Sequence, residues 1–206
     1  MITQDHLDDL AREYNRTKDP ELKKLWLEKV KEWANGFDDK FLSVRECNKL
    51  IKFFKKFPMK YYEQGNYYGV LFEKKSPELN SDKISFMVPK LKKALEDYYV
   101  KYPELVYVDP FYLSEIRFKH WKGKQYFSSW HSEHSYDCPH RILNCMIYLS
   151  THNCGTKFLD GSVVKSEKGR LILFPSYFTH THKGMPCPDK KDRYMFGSYF
   201  NFKKQE

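Results

Sequence analysis

The chain never stays apolar for long. No run of about 18 apolar residues occurs, so no membrane-spanning helix is expected. Glycine and proline are scarce, nine and ten in 206 residues, which excludes collagen-like and low-complexity chains. The five cysteines (Cys47, Cys138, Cys145, Cys154 and Cys187) are odd in number, scattered, and form no CxxC pair. That argues against a disulfide framework and a cysteine zinc site, and fits a reducing compartment. The opening residues, Met1-Ile2-Thr3-Gln4-Asp5-His6, lack the basic-then-apolar layout of a secretory signal. A cytoplasmic location with no membrane partner is the expectation.

What the chain does hold is positive charge and rings. Lys and Arg number 36 against 27 acids, a formal net charge of +9. Such an excess suits nucleic acid, an acidic protein or an anionic co-substrate, although most surface lysines are simply solvated. At 41% the hydrophobic fraction is enough for a core, and aromatics reach 17%. The length fits one domain with a helical elaboration.

Periodicity divides the chain. In the first part apolar residues recur at helical spacing, over Leu7, Leu10, Ala11 and Tyr14, then over Leu22, Trp26, Val30 and Trp33. Ser43-Val44-Arg45-Glu46 is a capping-box sequence opening a helix with Cys47, Leu50, Ile51 and Phe54 on one face. Residues 61–73 read as strand and turn, and 87–101 as helix. Beyond Phe111, short aromatic or β-branched runs are separated by turn residues. They are Ile116–Trp121, Arg141–Leu149, Thr156–Leu159, Val163–Lys165, Leu171–Phe174, Phe178–His182 and Tyr194–Phe202. That spacing is what a β-sandwich or jelly roll requires. The expected class is α+β: a helical N-terminal support over residues 1–110 and a β core over 111–206, forming one compact domain.

Seven of the eight histidines lie in the second half. His131-Ser132-Glu133 is an H-x-E triplet, and His180-Thr181-His182 follows about 50 residues later. On an extended segment residues i and i+2 share a face, so an imidazole and a carboxylate so spaced can converge on one metal ion. A further histidine from a distant strand completes two His and one carboxylate, the facial triad of non-haem Fe(II) oxygenases. The open metal positions can take a 2-oxo acid and O2. An arginine suits the far carboxylate of such an acid because its planar fork pairs with both oxygens. Arg193, on the strand after the histidine pair, is placed for that role.

From about Ile116 to Phe202 the sequence resembles the Fe(II)/2-oxoglutarate dioxygenases, in their prolyl 4-hydroxylase-like branch. Phe118-Lys119-His120-Trp121-Lys122-Gly123 leads into Trp130-His131-Ser132-Glu133, and Arg141 to Ser150 resembles the family's "R…YLN" strand. Cys154-Gly155-Thr156-Lys157-Phe158 resembles "GGTxF", Lys168 to Pro175 the "GrlliFP" strand, His182-Lys183-Gly184-Met185-Pro186 "HxGxP", and Arg193-Tyr194 the closing "RY". The resemblance implies a double-stranded β-helix core with His131, Glu133 and His182 as metal ligands. It also implies that Arg193 and Tyr148 hold the C5 carboxylate of 2-oxoglutarate. Fe(II), 2-oxoglutarate and O2 are the implied cofactors, with ascorbate as an accessory. The chain departs from the family at Glu133, where Asp is usual, at Gly197, where a hydroxyl residue is common, and at Trp121, a tyrosine in some members.

The expected function is therefore hydroxylation of a C–H bond, with 2-oxoglutarate decarboxylated to succinate and CO2. The resemblance favours a peptide or protein substrate of prolyl type. Nucleobase oxidation on a nucleic acid, for which the charge and rings are suited, and a non-catalytic β-barrel binding module are the alternatives. Phe127, Trp130, Tyr136 and Phe178 are expected to wall the site.

Overall fold

The computed structural model describes residues 12–13, 16–22, 24–25, 36–73, 75–108 and 111–202. The chain divides into two compact units, Met1–Gly36 and Phe37–Glu206. The helical stripes expected over Leu7–Tyr14 and Leu22–Trp33 fall largely outside the described residues.

Helix α1 (Val44–Phe54) begins as its sequence dictates. The Ser43 backbone N–H donates to the Glu46 carboxylate at 2.8 Å, and the Glu46 N–H donates back to the Ser43 hydroxyl at 3.2 Å. Both donors would otherwise be left over at the helix start. The helix buries Cys47, Leu50, Phe53 and Phe54, while α2 (Met87–Lys101) buries Met87, Leu91 and Tyr98.

The strands are β1 (Gly36–Asp38), β2 (Lys60–Tyr62), β3 (Tyr67–Phe72), β4 (Phe111–Trp121), β5 (Arg141–Tyr148), β6 (Gly155–Phe158), β7 (Val163–Lys165), β8 (Leu171–Pro175), β9 (His182–Gly184) and β10 (Arg193–Phe202). They form a seven-stranded sheet in the order β1-β8-β5-β10-β4-β3-β2 and a three-stranded sheet β7-β6-β9, mostly antiparallel. β5 is buried along its whole length, as expected of a central strand covered on both faces. On β4 the alternation sends Phe118 to one face, where Phe54 of α1 stacks on it at 4.7 Å between ring centroids. Trp121 faces the other way, into a core shared with Tyr67, Met146, Tyr148, Phe158, Phe174 and Met195. That second core joins the two sheets and floors the site.

Two expectations are corrected. Phe178–His182 is not a strand: Phe178–His180 is a 3-10 turn, closed by the Thr181 hydroxyl donating to the Phe178 carbonyl at 2.8 Å, and β9 starts only at His182. The cysteines are not all free either, because Cys154 and Cys187 form a disulfide with Cα atoms 5.0 Å apart. Their distance in sequence hides their proximity. Cys154 precedes β6 and Cys187 follows β9, and the antiparallel pairing Thr156↔Gly184 brings those two ends together. Among the described residues no helix is long and apolar enough to cross a membrane.

Candidate metal centre and co-substrate pocket

Two backbone hydrogen bonds bring the separated histidines together. The His131 N–H donates to the His182 carbonyl at 3.0 Å and the His182 N–H to the His131 carbonyl at 2.9 Å. This is a hydrogen-bonded antiparallel pair outside the main ladders, with its two side chains on one face. Glu133, two residues on, joins the same face. Ligand-capable atoms of His131, Glu133 and His182 all lie within 4.8 Å of one another. Glu133 Oε1 is 3.6 Å from His131 Nε2 and 3.8 Å from His182 Nε2.

The imidazoles are oriented by their other nitrogens. His131 Nδ1 lies 3.1 Å from the Ser129 carbonyl and His182 Nδ1 2.9 Å from the His180 carbonyl. A carbonyl only accepts, so each Nδ1 carries a proton and each Nε2 is the ring nitrogen turned toward Glu133. Burial lowers the His182 pKa to about 4, with the neighbouring His131 adding to the effect and Glu133 opposing it. His182 is thus neutral, the ligating form, at neutral pH.

Glu133 is buried and held from three sides. Tyr199 donates its hydroxyl to Oε2 at 2.8 Å, Arg141 its guanidinium to Oε2 at 3.3 Å, and Asn144 its amide to Oε1 at 3.3 Å. Burial pushes the carboxyl pKa up, but the two histidines beside it and the Lys119 charge outweigh it, holding the pKa well below the usual range. Where Asp is the family's usual residue, the extra methylene of Glu lets the carboxylate reach donors on both β5 and β10 while Oε1 faces the histidines. Asn144 and Tyr199 were not singled out from sequence. Asn144 is an amide inside the apolar run of residues 142–147 of a buried strand, which is the signal that could have found it.

A pocket opens beside the triad, between the sheets. It spans about 530 Å3, part of it open solvent, and its lining includes Arg193, Tyr148, Thr156, Met146 and Lys119 along with His131, Glu133 and His182. All five site residues expected from sequence therefore share one cavity. Arg193 lies over the Trp121 ring at 5.3 Å and donates to the Gln125 carbonyl at 2.8 Å and the Met185 carbonyl at 3.2 Å. Its Nε is buried without a hydrogen-bond partner. An orphaned buried guanidinium N–H is costly, and a carboxylate in the pocket would satisfy it. The Tyr148 hydroxyl donates to Thr156 Oγ1 at 2.7 Å, and burial raises its pKa to about 12. Gly155 starts β6 where a Cβ would meet the Val164 carbonyl oxygen at 1.9 Å, so only glycine fits this wall.

The structure separates the histidine pair. His182 joins the cluster, whereas the His180 ring packs 6.0 Å from Phe174, outside it. The expected aromatic wall holds only for Phe127, which stacks on His131 at 4.0 Å. Trp130, Tyr136 and Phe178 are exposed, because each lies on a loop or turn rather than on an inward strand position. Ser198 points away from the pocket, its hydroxyl donating to the Glu115 carbonyl. Outside the pocket, His152 joins Asp189 at 2.9 Å and Ser150 at 2.9 Å. This clip ties the loop after β9 to the end of β5, next to the disulfide.

The fold matches that of solved structures described as prolyl hydroxylases and 2OG-Fe(II) oxygenases. A viral collagen prolyl hydroxylase from Paramecium bursaria Chlorella virus-1, in complex with 2OG, is 19% identical with a TM-score of 0.62, covering 82% of this chain and 97% of its own. A prolyl-4-hydroxylase from Pseudomonas putida is 12% identical with a TM-score of 0.66, covering 85% and 96%. A Trichoplax adhaerens prolyl hydroxylase, in complex with a hypoxia inducible factor peptide fragment, is 11% identical with a TM-score of 0.64, covering 98% and 94%. At these identities the likeness is one of fold. No family model matches the sequence, and no curated protein matches it.

Proposed function

We propose that this chain is an Fe(II)- and 2-oxoglutarate-dependent dioxygenase that hydroxylates a C–H bond of a peptidyl, prolyl-type substrate. The observation that carries the reading is the meeting of His131, Glu133 and His182 at the wall of a pocket that also holds an unsatisfied Arg193. The two sheets are read as the double-stranded β-helix that holds this chemistry in the matching folds.

The donor set fits iron. Two imidazoles and one carboxylate at the pocket wall would hold the ion from one side. Iron(II) there would supply O2 activation coupled to decarboxylation of the 2-oxo acid. The chain's own part is positional. The Ser129 and His180 carbonyls hold the two Nδ1 protons, so both Nε2 atoms are aimed before any metal arrives. Tyr199 and Arg141 fix Oε2, leaving Oε1 turned to the histidines. Arg193 and Tyr148 receive the far carboxylate of 2-oxoglutarate. The rings of Phe127, Phe158 and Phe174 around the two histidines keep water from that side.

A peptide is preferred because the matching prolyl hydroxylases include one bound to a peptide, and because this chain exposes Trp130 and Phe178 beside the two ligand-bearing segments. Rings of this kind suit a proline-rich segment, whose extended helix is already ordered.

The test measures succinate release with anaerobically loaded Fe(II), 2-oxoglutarate and oxygenated buffer. Proline-rich peptides should stimulate release and acquire a hydroxyl mass. Stimulation by single- or double-stranded DNA instead would move the substrate to nucleic acid. No succinate with any substrate, and no visible charge-transfer absorption on adding 2-oxoglutarate to the Fe(II) protein, would leave a binding module.

A further inference from the structure

Strand register orders the pocket from end to end. On β10, Arg193, Met195, Gly197 and Tyr199 share one numbering parity. Arg193, Met195 and Gly197 pair on β4 with Trp121, Lys119 and Arg117, and Met195, Gly197 and Tyr199 pair on β5 with Tyr148, Met146 and Asn144. Same-face residues are roughly 6–7 Å apart along a strand. The Arg193 row thus forms the far end, and the Tyr199 and Asn144 row, which holds Glu133, forms the metal end. Lys119 stands level with Tyr148, both paired with Met195, and its side chain reaches over Gly197, one row nearer the metal end.

Lys119 is unusual for its place. It is buried, yet it carries an ammonium, and it lines the pocket. The other cations of this face are engaged: Arg117 pairs with Glu115 at 2.6 Å, and Arg141 with Glu133 at 3.3 Å and Glu115 at 3.4 Å. Among the described residues Lys119 has no ion pair or hydrogen bond, and its ammonium lies 5.6 Å from the centroid of the Tyr67 ring. Its side chain lies over Gly197: a Cβ there would stand in ordinary contact with Lys119 Cε, at 3.8 Å, and a longer side chain would have to pass it. The missing side chain at position 197 and the extra cation at 119 are thus one local arrangement. Lysines are almost never buried unless paired, so an anion is the missing partner.

We infer that Lys119 is a positioning residue for the co-substrate, pairing with the carboxylate next to its 2-oxo group while Arg193 takes the far carboxylate. The inference rests on the proposed 2-oxoglutarate dependence of this pocket. It makes the pocket selective for dicarboxylate 2-oxo acids, clamped by one cation at each end. With the near carboxylate held by Lys119 as well as by the metal, a keto acid lacking it would lose two contacts.

The experiment is calorimetric binding to the Mn(II)-loaded, catalytically silent protein, with two ligands: 2-oxoglutarate, and levulinate, which keeps the ketone and far carboxylate but lacks the near one. Hydrogen bonds to charged partners set the scale. Lys119→Met should weaken 2-oxoglutarate by about 10- to 100-fold and leave levulinate within about twofold. Arg193→Met should weaken both. Levulinate weakened as much as 2-oxoglutarate by Lys119→Met would overturn the inference and move Lys119 to the far carboxylate. An unchanged 2-oxoglutarate affinity in folded Lys119→Met would reduce the lysine to a structural neighbour of Glu133. If wild-type protein binds Mn(II) but no 2-oxoglutarate, the proposed function itself fails.

Discussion

The two faces of the large sheet come from the same strands and differ in what they leave unsatisfied. On the outer face Phe118 and Phe196 lie fully buried under Phe54, with ring centroids 4.7 and 6.5 Å from it. Such packing needs no partner beyond the chain. On the inner face the same β4 and β10 present Lys119 and Arg193, a buried cation and a buried orphan N–H, around an open pocket. The outer face is complete and contributes stability. The inner face carries polar groups that cost stability until a ligand meets them, as expected where a fold has been bent toward function.

Substitutions on either face should separate these roles. The largest effect is expected from His182→Ala, which should cut iron affinity by more than about a hundredfold, since loss of even an outer-shell partner costs 10- to 100-fold. His180→Ala should leave iron affinity near wild type, as measured by metal content after dialysis. Equal loss in both variants would dissolve the distinction between the two histidines. On the outer face, Phe54→Ala should destabilise the fold by about 3–5 kcal/mol in urea unfolding, while the folded fraction keeps its iron affinity. A drop in iron affinity there would show the faces to be coupled.

Acid should act through the inner face. Burial depresses the His182 pKa from 6.5 to about 4, so between these values the unfolded chain binds the proton and the folded chain does not. Stability of the metal-free protein should therefore fall as pH drops from about 6.5 toward 4, with Glu133, also depressed, adding to the loss in more acid solution. Thermal melts against pH should show this slope flattened in His182→Gln. A slope unchanged in that variant would place the titrating group elsewhere. The smallest effect is expected at the edge of the outer layer. Ser43→Ala removes the α1 cap and should cost about 1 kcal/mol in the same melts, with metal and co-substrate binding untouched.

Much of this was readable before any coordinates. The capping box at Ser43 and Glu46 formed as written, because both partners lie within one turn of chain. His131 and Glu133 of the H-x-E triplet lie together with His182, the histidine that the family resemblance favoured over His180. What failed did so where an outcome depended on segments remote in sequence. Trp130, Tyr136 and Phe178 read as pocket rings because aromatics prefer burial, but loop positions carry no face rule, and they lie exposed. Thr181 favoured a strand by its branching, yet its hydroxyl closed a turn. Cys154 and Cys187 looked unpaired because nothing in their spacing reports that β6 pairs with β9.

Periodicity and short-range hydrogen bonding are local properties of the chain, so the order of residues set which side chains are available to the site and the side of each strand they take. What stands opposite them came from the assembled fold. It closed His131 onto His182 through two backbone hydrogen bonds, surrounded Glu133 with donors from β5 and β10, and turned Lys119 into a buried cation over Gly197. Each of these depends on strand register between segments far apart in the chain, and register is set by the packing of the whole sheet rather than by any one segment.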